Sequence, residues 1–199
     1  MKYNGPKIRL SRKLGITLTP KAQKYLEKKP YGPGQHGMKR RRRLTNYGRQ
    51  LLEKQRLRFQ YNISERQLRN YYKDANAMKG VTGENLIRLL ETRLDALVLR
   101  AGFARTIFAA RQFVSHGHIL VNGKRLDIPS ASLREGDVFE IKEKSRKVRA
   151  FNEGRGVATV PGYLEIDSSG YGAKLGYLPR REEVPVICEE QLIVEFYSR

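Results

Sequence analysis

Hydrophobic residues recur at helical spacing along residues 46–90, where leucine, tyrosine and alanine return every three or four positions. In the first part of this stretch the spacing places four apolar residues near one face: Tyr47, Leu51, Leu52 and Phe59. Ser64 and Gln67 then form the sequence pattern of a capping box, which predicts that a second helix begins there. We therefore expect a compact helical domain over residues 45–91.

Three threonines are predicted to cap later helices, because a threonine hydroxyl can accept a hydrogen bond from a backbone N–H of the first turn. These residues are Thr82, Thr92 and Thr106. The helix after Thr106 is predicted to end at Gly117. Its spacing predicts that four residues face inward: Ala109, Ala110, Phe113 and Val114.

After Gly117 the period changes, and apolar and polar residues alternate as they do in a β-strand. The stretch HILVNGKRLDI surrounds Asn122-Gly123, a pair that tolerates positive φ at both positions and so predicts a tight hairpin. A turn at Glu135-Gly136-Asp137 precedes the predicted strand VFEIKEK, and YLEIDSSGYGAKLGYLP predicts two more strands around a glycine-rich turn. The predicted fold class is α+β, with two short helices packed on a small twisted antiparallel sheet within residues 92–181.

The two ends of the chain have contrasting compositions. Residues 1–44 are rich in Lys, Arg, Gly and Pro and predict a basic extended arm, in which YGPGQHG is a run of turn formers. Four consecutive arginines follow at 40–43. Residues 182–199 combine glutamates with apolar residues. We expect this segment to fold back on the helical domain; contact with a basic protein is the alternative interpretation.

Charge indicates the kind of partner. The chain has 40 Lys and Arg against 20 Asp and Glu, a formal net charge of +20. Residues 1–60 hold 18 of these cations and only two acids, Glu27 and Glu53. An excess this large and this uneven predicts a polyanionic partner, because self-repulsion otherwise opposes a compact state.

Several function classes are excluded by what the sequence lacks. Cys188 is the only cysteine, so no disulfide framework and no cysteine-based metal site is expected. His116 and His118 have no third ligand nearby in sequence, so we predict no metal and no cofactor. No apolar run approaches the ~20 residues of a membrane span, and no signal-peptide or transit-like leader is recognisable. The expected location is a reducing compartment, the bacterial cytoplasm, with no membrane contact.

Several segments carry a family resemblance. The stretch ARQFVSHGHILVNGKRLDI, with RLDALVLRAGFARTI before it and LREGDVFEI after it, resembles the RNA-binding module named after bacterial ribosomal protein S-four. YGPGQHG, NYGRQLLEKQRLRFQYNISERQLRNYYKDA, GENLIRLLETRLD and LIVEFYSR resemble the rest of the S-four family. The likeness covers nearly the whole chain in order.

This resemblance implies a structural constituent of the small ribosomal subunit, cytoplasmic with the ribosome, with an RNA-binding module of the α-L type. It implies a primary binder of small-subunit ribosomal RNA that nucleates subunit assembly. The implied position is near the entrance for messenger RNA, where such a protein contributes to translational accuracy. The implied protein neighbours are ribosomal protein S-five and other small-subunit proteins.

The arm departs from the pattern of many relatives, which carry four cysteines there that can hold zinc. The matching region of this chain reads KIRLSRKLGITLTPKAQKYLEKKP and contains no cysteine. We expect the arm to be ordered by RNA contact and local packing instead of by a metal.

RNA contacts are expected from four groups, because a folded RNA is recognised mostly through its shape and backbone. The arm is expected to contribute Lys7, Arg9, Arg12, Arg40, Arg41, Arg42 and Arg43, and the turn-rich loop Gln35 and His36. The helical domain is expected to contribute Lys54, Arg56, Arg66, Arg69, Tyr72 and Lys73, with a core position as the alternative for Tyr72. The corner between helix and hairpin is expected to contribute Arg105, Arg111, Ser115, His116, Asn122, Lys124 and Arg125.

Two other functions share some of these features. Arg93-Leu94-Asp95 reproduces the triplet that holds the catalytic aspartate of pseudouridine synthases, which also carry the module. A separate catalytic domain is lacking, and Asp95 suits the first turn of a helix, so we expect no enzyme. A free-standing nucleic-acid chaperone is the second alternative, but it would not need the acidic, apolar C-terminal segment.

Overall fold

A computed structural model of the chain describes residues 3–39, 43–152 and 159–198. It confirms the α+β fold class. The chain divides into two compact units, a helical unit of Met1–Gly83 with Val186–Arg199 and a mixed unit of Glu84–Pro185. The helices are α1 (Lys7–Leu14), α2 (Pro20–Lys28), α3 (Asn46–Gln60), α4 (Glu65–Ala77), α5 (Thr82–Glu91), α6 (Leu94–Arg100), α7 (Ile107–Ser115), α8 (Arg149–Asn152) and α9 (Glu190–Tyr197). The strands are β1 (Ile119–Val121), β2 (Lys124–Arg125), β3 (Val138–Ile141), β4 (Leu164–Ile166) and β5 (Gly172–Leu175).

The helix caps follow the predictions in part. Ser64 and Gln67 form the predicted capping box of α4, with each side chain bonded to the backbone N–H of the other residue. The Thr106 hydroxyl accepts from the Ala109 N–H and caps α7, as predicted. The prediction for Thr92 is wrong, because Arg93 occupies the N-cap position of α6. The Thr92 hydroxyl instead donates to the carbonyl of the preceding helix, at Leu89.

The arm differs from the expected extended structure, because α1 and α2 form within it. Apolar residues four apart are buried along this stretch: Leu10 and Leu14 in α1, Leu18 between the helices and Ala22 in α2. The abundance of Lys and Gly obscured this spacing. Gly15 ends α1 with a φ of 70°, which costs a glycine little. The two helices are therefore held together by local apolar packing.

In the helical unit, α9 packs on α3. The side chain of Gln60 donates to the carbonyl of Ile187 and accepts from its N–H, at 3.0 and 3.1 Å. The Gln50 amide donates to Glu195 at 2.9 Å. The C-terminal segment is thus tied to α3 through the backbone of Ile187 and through the side chain of Glu195 in α9.

The buried side of α3 is more polar than its pattern predicts. Phe59 is buried as expected, but Tyr47 is 52% exposed, and Leu51 and Leu52 are half-buried. The residues buried in their place are largely polar or charged: Gln50, Glu53, Lys54 and Leu57. Polar partners supplied by neighbouring segments make this burial possible.

The mixed unit contains a five-stranded antiparallel sheet in the order β2-β1-β3-β5-β4. Asn122 and Gly123 have φ values of 49° and 76° and join β1 to β2 in the predicted tight hairpin. Three apolar residues of β1 and β3 form the buried side of the sheet: Ile119, Phe139 and Ile141 are each 0% exposed. Helices α6 and α7 pack against each other in the same unit. Ala110 and Val114 of α7 are buried as predicted, whereas Ala109 and Phe113 are half-buried.

Candidate nucleic-acid interface

A closed ion network lies under the expected RNA-binding corner. The Arg93 guanidinium makes two hydrogen bonds to the Asp95 carboxylate, at 3.0 and 2.7 Å, and both residues are 0% exposed. Arg111 reaches the same carboxylate from α7 at 3.1 Å. The carboxylate also accepts from the Ala96 N–H. Two guanidinium groups therefore share one carboxylate within the core, and each gains a counter-charge there.

This network bears on the expected RNA contact of Arg111, because it gives the residue an internal partner. Its residue exposure is 8%, and its guanidinium is turned toward Asp95 instead of toward solvent. A cation buried in this way cannot lie against an external phosphate without leaving its carboxylate. Sequence reasoning missed this because the two partners lie 16 positions apart.

The corner is built on a glycine in the left-handed region. Gly117 follows α7 with a φ of 70°, and a Cβ at this position would collide with the Arg125 guanidinium. Arg125 therefore lies in the space that only a glycine leaves open, and its side chain is 61% exposed. Its ion pair with Asp127 is loose, at 3.7 Å, so most of its hydrogen-bonding capacity faces solvent.

The other predicted corner residues divide into two groups. Arg105, Ser115, His116 and Lys124 are exposed. Asn122 is exposed too, but its amide donates to Asp137 and its carbonyl oxygen accepts from the Val138 N–H. The Arg134 N–H and the Asn122 amide lower the pKa of Asp137, so the carboxylate that holds this turn stays charged. Asn122 thus joins the hairpin to β3, which is a structural role.

The two histidines differ in environment. His116 is exposed at the end of α7, whereas His118 is half-buried against Phe113 and Phe151. The ring nitrogen Nδ1 of His118 lies 2.9 Å from the Ser145 hydroxyl. Burial, helped by the nearby charges of His116 and Lys142, lowers the pKa of His118. His118 is therefore a neutral packing residue at neutral pH, and His116 is the member of the pair that faces outward.

In the helical unit, two of the predicted cations are engaged internally. Lys54 is 5% exposed, bonds to Glu65 at 2.9 Å and lies 4.6 Å from the centre of the Phe196 ring. Arg56 pairs with Glu53 at 2.6 Å and donates to the carbonyl of Leu14. The Lys54 ammonium is thus buried and paired, which does not favour the expected RNA contact. Arg56 is half-buried and serves mainly to tie α3 to the end of α1.

Helix α4 carries the exposed cations of this unit that were predicted as contacts. Arg66, Arg69 and Lys73 are exposed at a spacing of three and four residues, which places them on one face. Tyr72 is half-buried, and its ring lies 5.1 Å from that of Tyr197. The predicted alternative, a packing role for Tyr72, therefore fits its position better than a base contact does.

Glu65 links α3, α4 and α9. Partial burial acts to raise the pKa of Glu65, but hydrogen bonds from Tyr197 and Lys54 and the charge of Arg58 together lower it below its ordinary value. Burial and the bond to Glu65 raise the pKa of Tyr197, so the phenol keeps its proton and donates it at 2.7 Å. This carboxylate remains partly open to solvent, at 36% side-chain exposure.

In the arm, Arg12 holds the loop of residues 31–37. Its guanidinium donates to the carbonyls of Tyr31 and Gly32, both at 3.1 Å, and stacks over the Tyr31 ring at 5.1 Å. A Cβ on Gly37 would collide with the Gly32 carbonyl, so the loop is wound tightly on itself. Arg12 thus positions this loop instead of lying free for a phosphate.

The remaining predicted arm and loop residues lie outward where the structure describes them. Gln35 and His36 are exposed on the loop, and Arg9 and Arg43 are exposed as well. Lys7 is half-buried, with its ammonium 6.0 Å from the centre of the Tyr3 ring. Arg40, Arg41 and Arg42 lie outside the described residues.

Within residues 3–39, 43–152 and 159–198, no group of three or more His, Cys, Asp or Glu side chains is placed to hold a metal ion. In the same part of the chain, none of the helices has both the length and the apolar composition needed to cross a membrane.

Two family models match consecutive parts of the chain. Residues 2–91 match the family described as ribosomal protein S4/S9 N-terminal domain, and residues 92–139 match the S4 domain. The chain is 54% identical to small ribosomal subunit protein uS4 of Micrococcus luteus over 198 residues, covering 96% of this chain and 95% of the relative. It is 53% identical to the protein of the same name from Paenarthrobacter aurescens, with the same coverage. The protein of that name from Chlorobium phaeovibrioides is 45% identical over 201 residues, covering 100% of this chain and 99% of the relative.

Proposed function

The chain belongs to the family of small ribosomal subunit protein uS4, and on this premise we propose that it binds small-subunit ribosomal RNA through exposed cations on rigid supports. It is a structural constituent of the small ribosomal subunit, and its two domain matches imply RNA binding. The proposal names the surfaces that carry this binding.

One observation carries the proposal: the Arg125 guanidinium lies over Gly117, in space that only a glycine leaves open. A folded RNA is recognised by charges whose positions match its backbone, and fixed supports place such charges accurately. Arg105, Ser115, His116 and Lys124 are exposed around the same corner. In the helical unit, the exposed face of α4 carries Arg66, Arg69 and Lys73. These two surfaces are the proposed contacts with phosphate.

The finer roles rest on the family resemblance. We propose that the chain is a primary binder that helps start assembly of the subunit, lies near the entrance for messenger RNA and contributes to translational accuracy. Ribosomal protein S-five is the proposed protein neighbour. The exposed Arg43, which ends the run of four arginines, supports contact with a second RNA near that entrance.

An enzymatic role finds no support at the RLD triplet. Asp95 is 0% exposed and bonded to both Arg93 and Arg111, so an RNA base cannot reach it without disrupting the core. The relatives named above are ribosomal proteins.

Competition binding tests the proposal. We expect the purified chain to bind small-subunit ribosomal RNA at least tenfold more tightly than unrelated duplex RNA of equal length at matched ionic strength, because phosphate contacts alone do not discriminate. It should also sediment with small subunits after a high-salt wash. Equal affinity for both RNAs would contradict the proposal and favour a chaperone of low specificity.

A further inference from the structure

Helix α2 presents a basic face that belongs to none of the groups considered above. Lys21, Lys24, Tyr25 and Lys28 stand at positions i, i+3, i+4 and i+7, which lie on one side of a helix. All four are exposed, and Tyr25 is 40% exposed. The helix therefore carries three ammonium groups around one accessible aromatic ring.

The opposite side of α2 fixes this face in place. Ala22 is 0% exposed, and α2 packs on α1. Pro20 lies in the first turn, and the Lys29 N–H closes the last turn on the Tyr25 carbonyl at 3.0 Å. The exposed side chains thus project from an anchored support.

These side chains have no internal task in the described part of the chain. There, the side chains of Lys21, Lys24 and Lys28 form no ion pair or hydrogen bond, and the Tyr25 ring has no aromatic or cationic neighbour. Lys54 and Arg56 of the same unit differ in this respect, because both are paired with glutamates. The charges of α2 are therefore available to a partner.

An RNA strand with an unpaired nucleotide is the partner that fits. A paired base offers no open face, whereas a base in a loop or bulge can stack on an aromatic ring while lysines neutralise the phosphates around it. The rise of the helix separates Lys21 from Lys28 by about 10 Å, so the two ammonium groups can reach phosphates on either side of the stacked base. We propose that this face of α2 binds an unpaired nucleotide of the ribosomal RNA, with Tyr25 stacked on the base. The inference rests on the proposed function.

Substitution of Tyr25 tests the stacking. Filter binding of the full chain to small-subunit ribosomal RNA should show Tyr25→Leu about tenfold weaker and Tyr25→Phe within twofold of the original chain, because phenylalanine retains the ring. The dependence of affinity on salt should stay unchanged in both. Unchanged affinity of Tyr25→Leu would overturn the proposal, and so would equal losses in the two variants.

Substitution of the lysines tests the phosphate contacts. In the triple variant Lys21→Gln, Lys24→Gln and Lys28→Gln, the slope of log affinity against log salt concentration should shrink by about two. The matched control is Lys142→Gln, Lys144→Gln and Lys147→Gln, which removes the same charge from exposed positions of the mixed unit and should leave the slope close to that of the original chain. Equal changes in the two triple variants would mean that net charge alone matters, and would overturn the proposal.

The two proposals fail in different ways. If the original chain shows no preference for small-subunit ribosomal RNA, the proposed function fails and the α2 inference falls with it. If the original chain shows the preference and every α2 variant retains full affinity, only the α2 inference fails. Thermal unfolding should give the same midpoint for all α2 variants, because the substituted residues are exposed.

Discussion

The two units both bury charge, but they bury it in different ways. In the mixed unit, Arg93 and Asp95 are 0% exposed, and Arg111 closes the network with a side chain that is 10% exposed. In the helical unit, Lys54 is buried to 6% side-chain exposure, but its partner Glu65 is 36% exposed. The first network is closed to water, and the second is open to it.

The difference indicates that some charged residues stabilise the fold and that others are available for RNA binding. Removal of one member of a closed network strongly lowers the stability of the fold, because a buried charge then loses its counter-charge. An open network can replace a lost partner with water. The closed network therefore acts as the scaffold of the corner, whereas cations free of such networks are the ones available to RNA.

The largest expected effect comes from Asp95→Asn. It removes the carboxylate that two buried guanidinium groups share and should lower the free energy of unfolding by about 3–5 kcal/mol. Urea unfolding of the purified chain measures this loss. The matched control is Asp127→Asn, which breaks an exposed pair with Arg125 and should change stability by less than about 1 kcal/mol. Similar losses for both variants would show that the network is not closed.

Arg111→Ala is expected to have the next largest effect. Asp95 keeps its two bonds to Arg93, so the loss should be about 2 kcal/mol, the cost of one charged hydrogen bond. The folded variant should bind RNA as tightly as the original chain, because Arg111 is buried. RNA affinity is to be measured at a temperature below the unfolding transition of the variant. A tenfold loss of affinity together with unchanged stability would indicate that Arg111 contacts phosphate after all.

More structural features of the mixed unit than of the helical unit could be predicted from the sequence, and the reason is physical. The hairpin at Asn122-Gly123 and the cap at Thr106 depend on residues adjacent in sequence, and both predictions are confirmed. The pairing of Asp95 with Arg111 depends on how two helices pack, and nothing local in the sequence signals it. The candidate contacts could therefore be predicted as clusters, but buried members could not be separated from exposed ones.

The packing of α9 on α3 and α4 illustrates the same limit more strongly. Gln50 meets Glu195 across 145 positions, and Glu65 meets Tyr197 across 132. A helical pattern of apolar residues indicates which face is buried only when the partner is apolar as well. Here the partner is the acidic C-terminal helix, so polar residues are buried and Tyr47 is exposed.

Tyr197→Phe and Lys54→Met test the open network. Because the pKa of Glu65 is lower in the folded chain than in the unfolded chain, its contribution to stability is present above pH 4.5 and is lost as the pH falls through the folded-state pKa. Each substitution removes a donor and moves that pKa back toward the ordinary value. At neutral pH each variant should be about 1 kcal/mol less stable than the original chain.

Urea unfolding between pH 3 and pH 7 measures this effect. The difference between Tyr197→Phe and the original chain should shrink as Glu65 becomes protonated. A pH-independent difference would indicate that the tyrosine hydroxyl stabilises the fold without acting through Glu65. A loss as large as that of Asp95→Asn would show that the helical unit is as closed to water as the mixed unit.

A pair of glycine variants separates the strain of a turn from the position of a charge. Gly117→Ala and Gly123→Ala both put a Cβ at positive φ, 70° and 76°, and each should cost about 1–2 kcal/mol of stability. Only Gly117→Ala also displaces a side chain, the Arg125 guanidinium, because the space beside Gly123 is open. RNA affinity should therefore fall about threefold to tenfold in Gly117→Ala, which is the lower end of the loss expected when a charged contact is displaced. It should stay nearly unchanged in Gly123→Ala. Filter binding at moderate salt measures both affinities. Equal values for the two variants would show that RNA affinity does not depend on the position of the Arg125 guanidinium, and that the corner contributes only to folding.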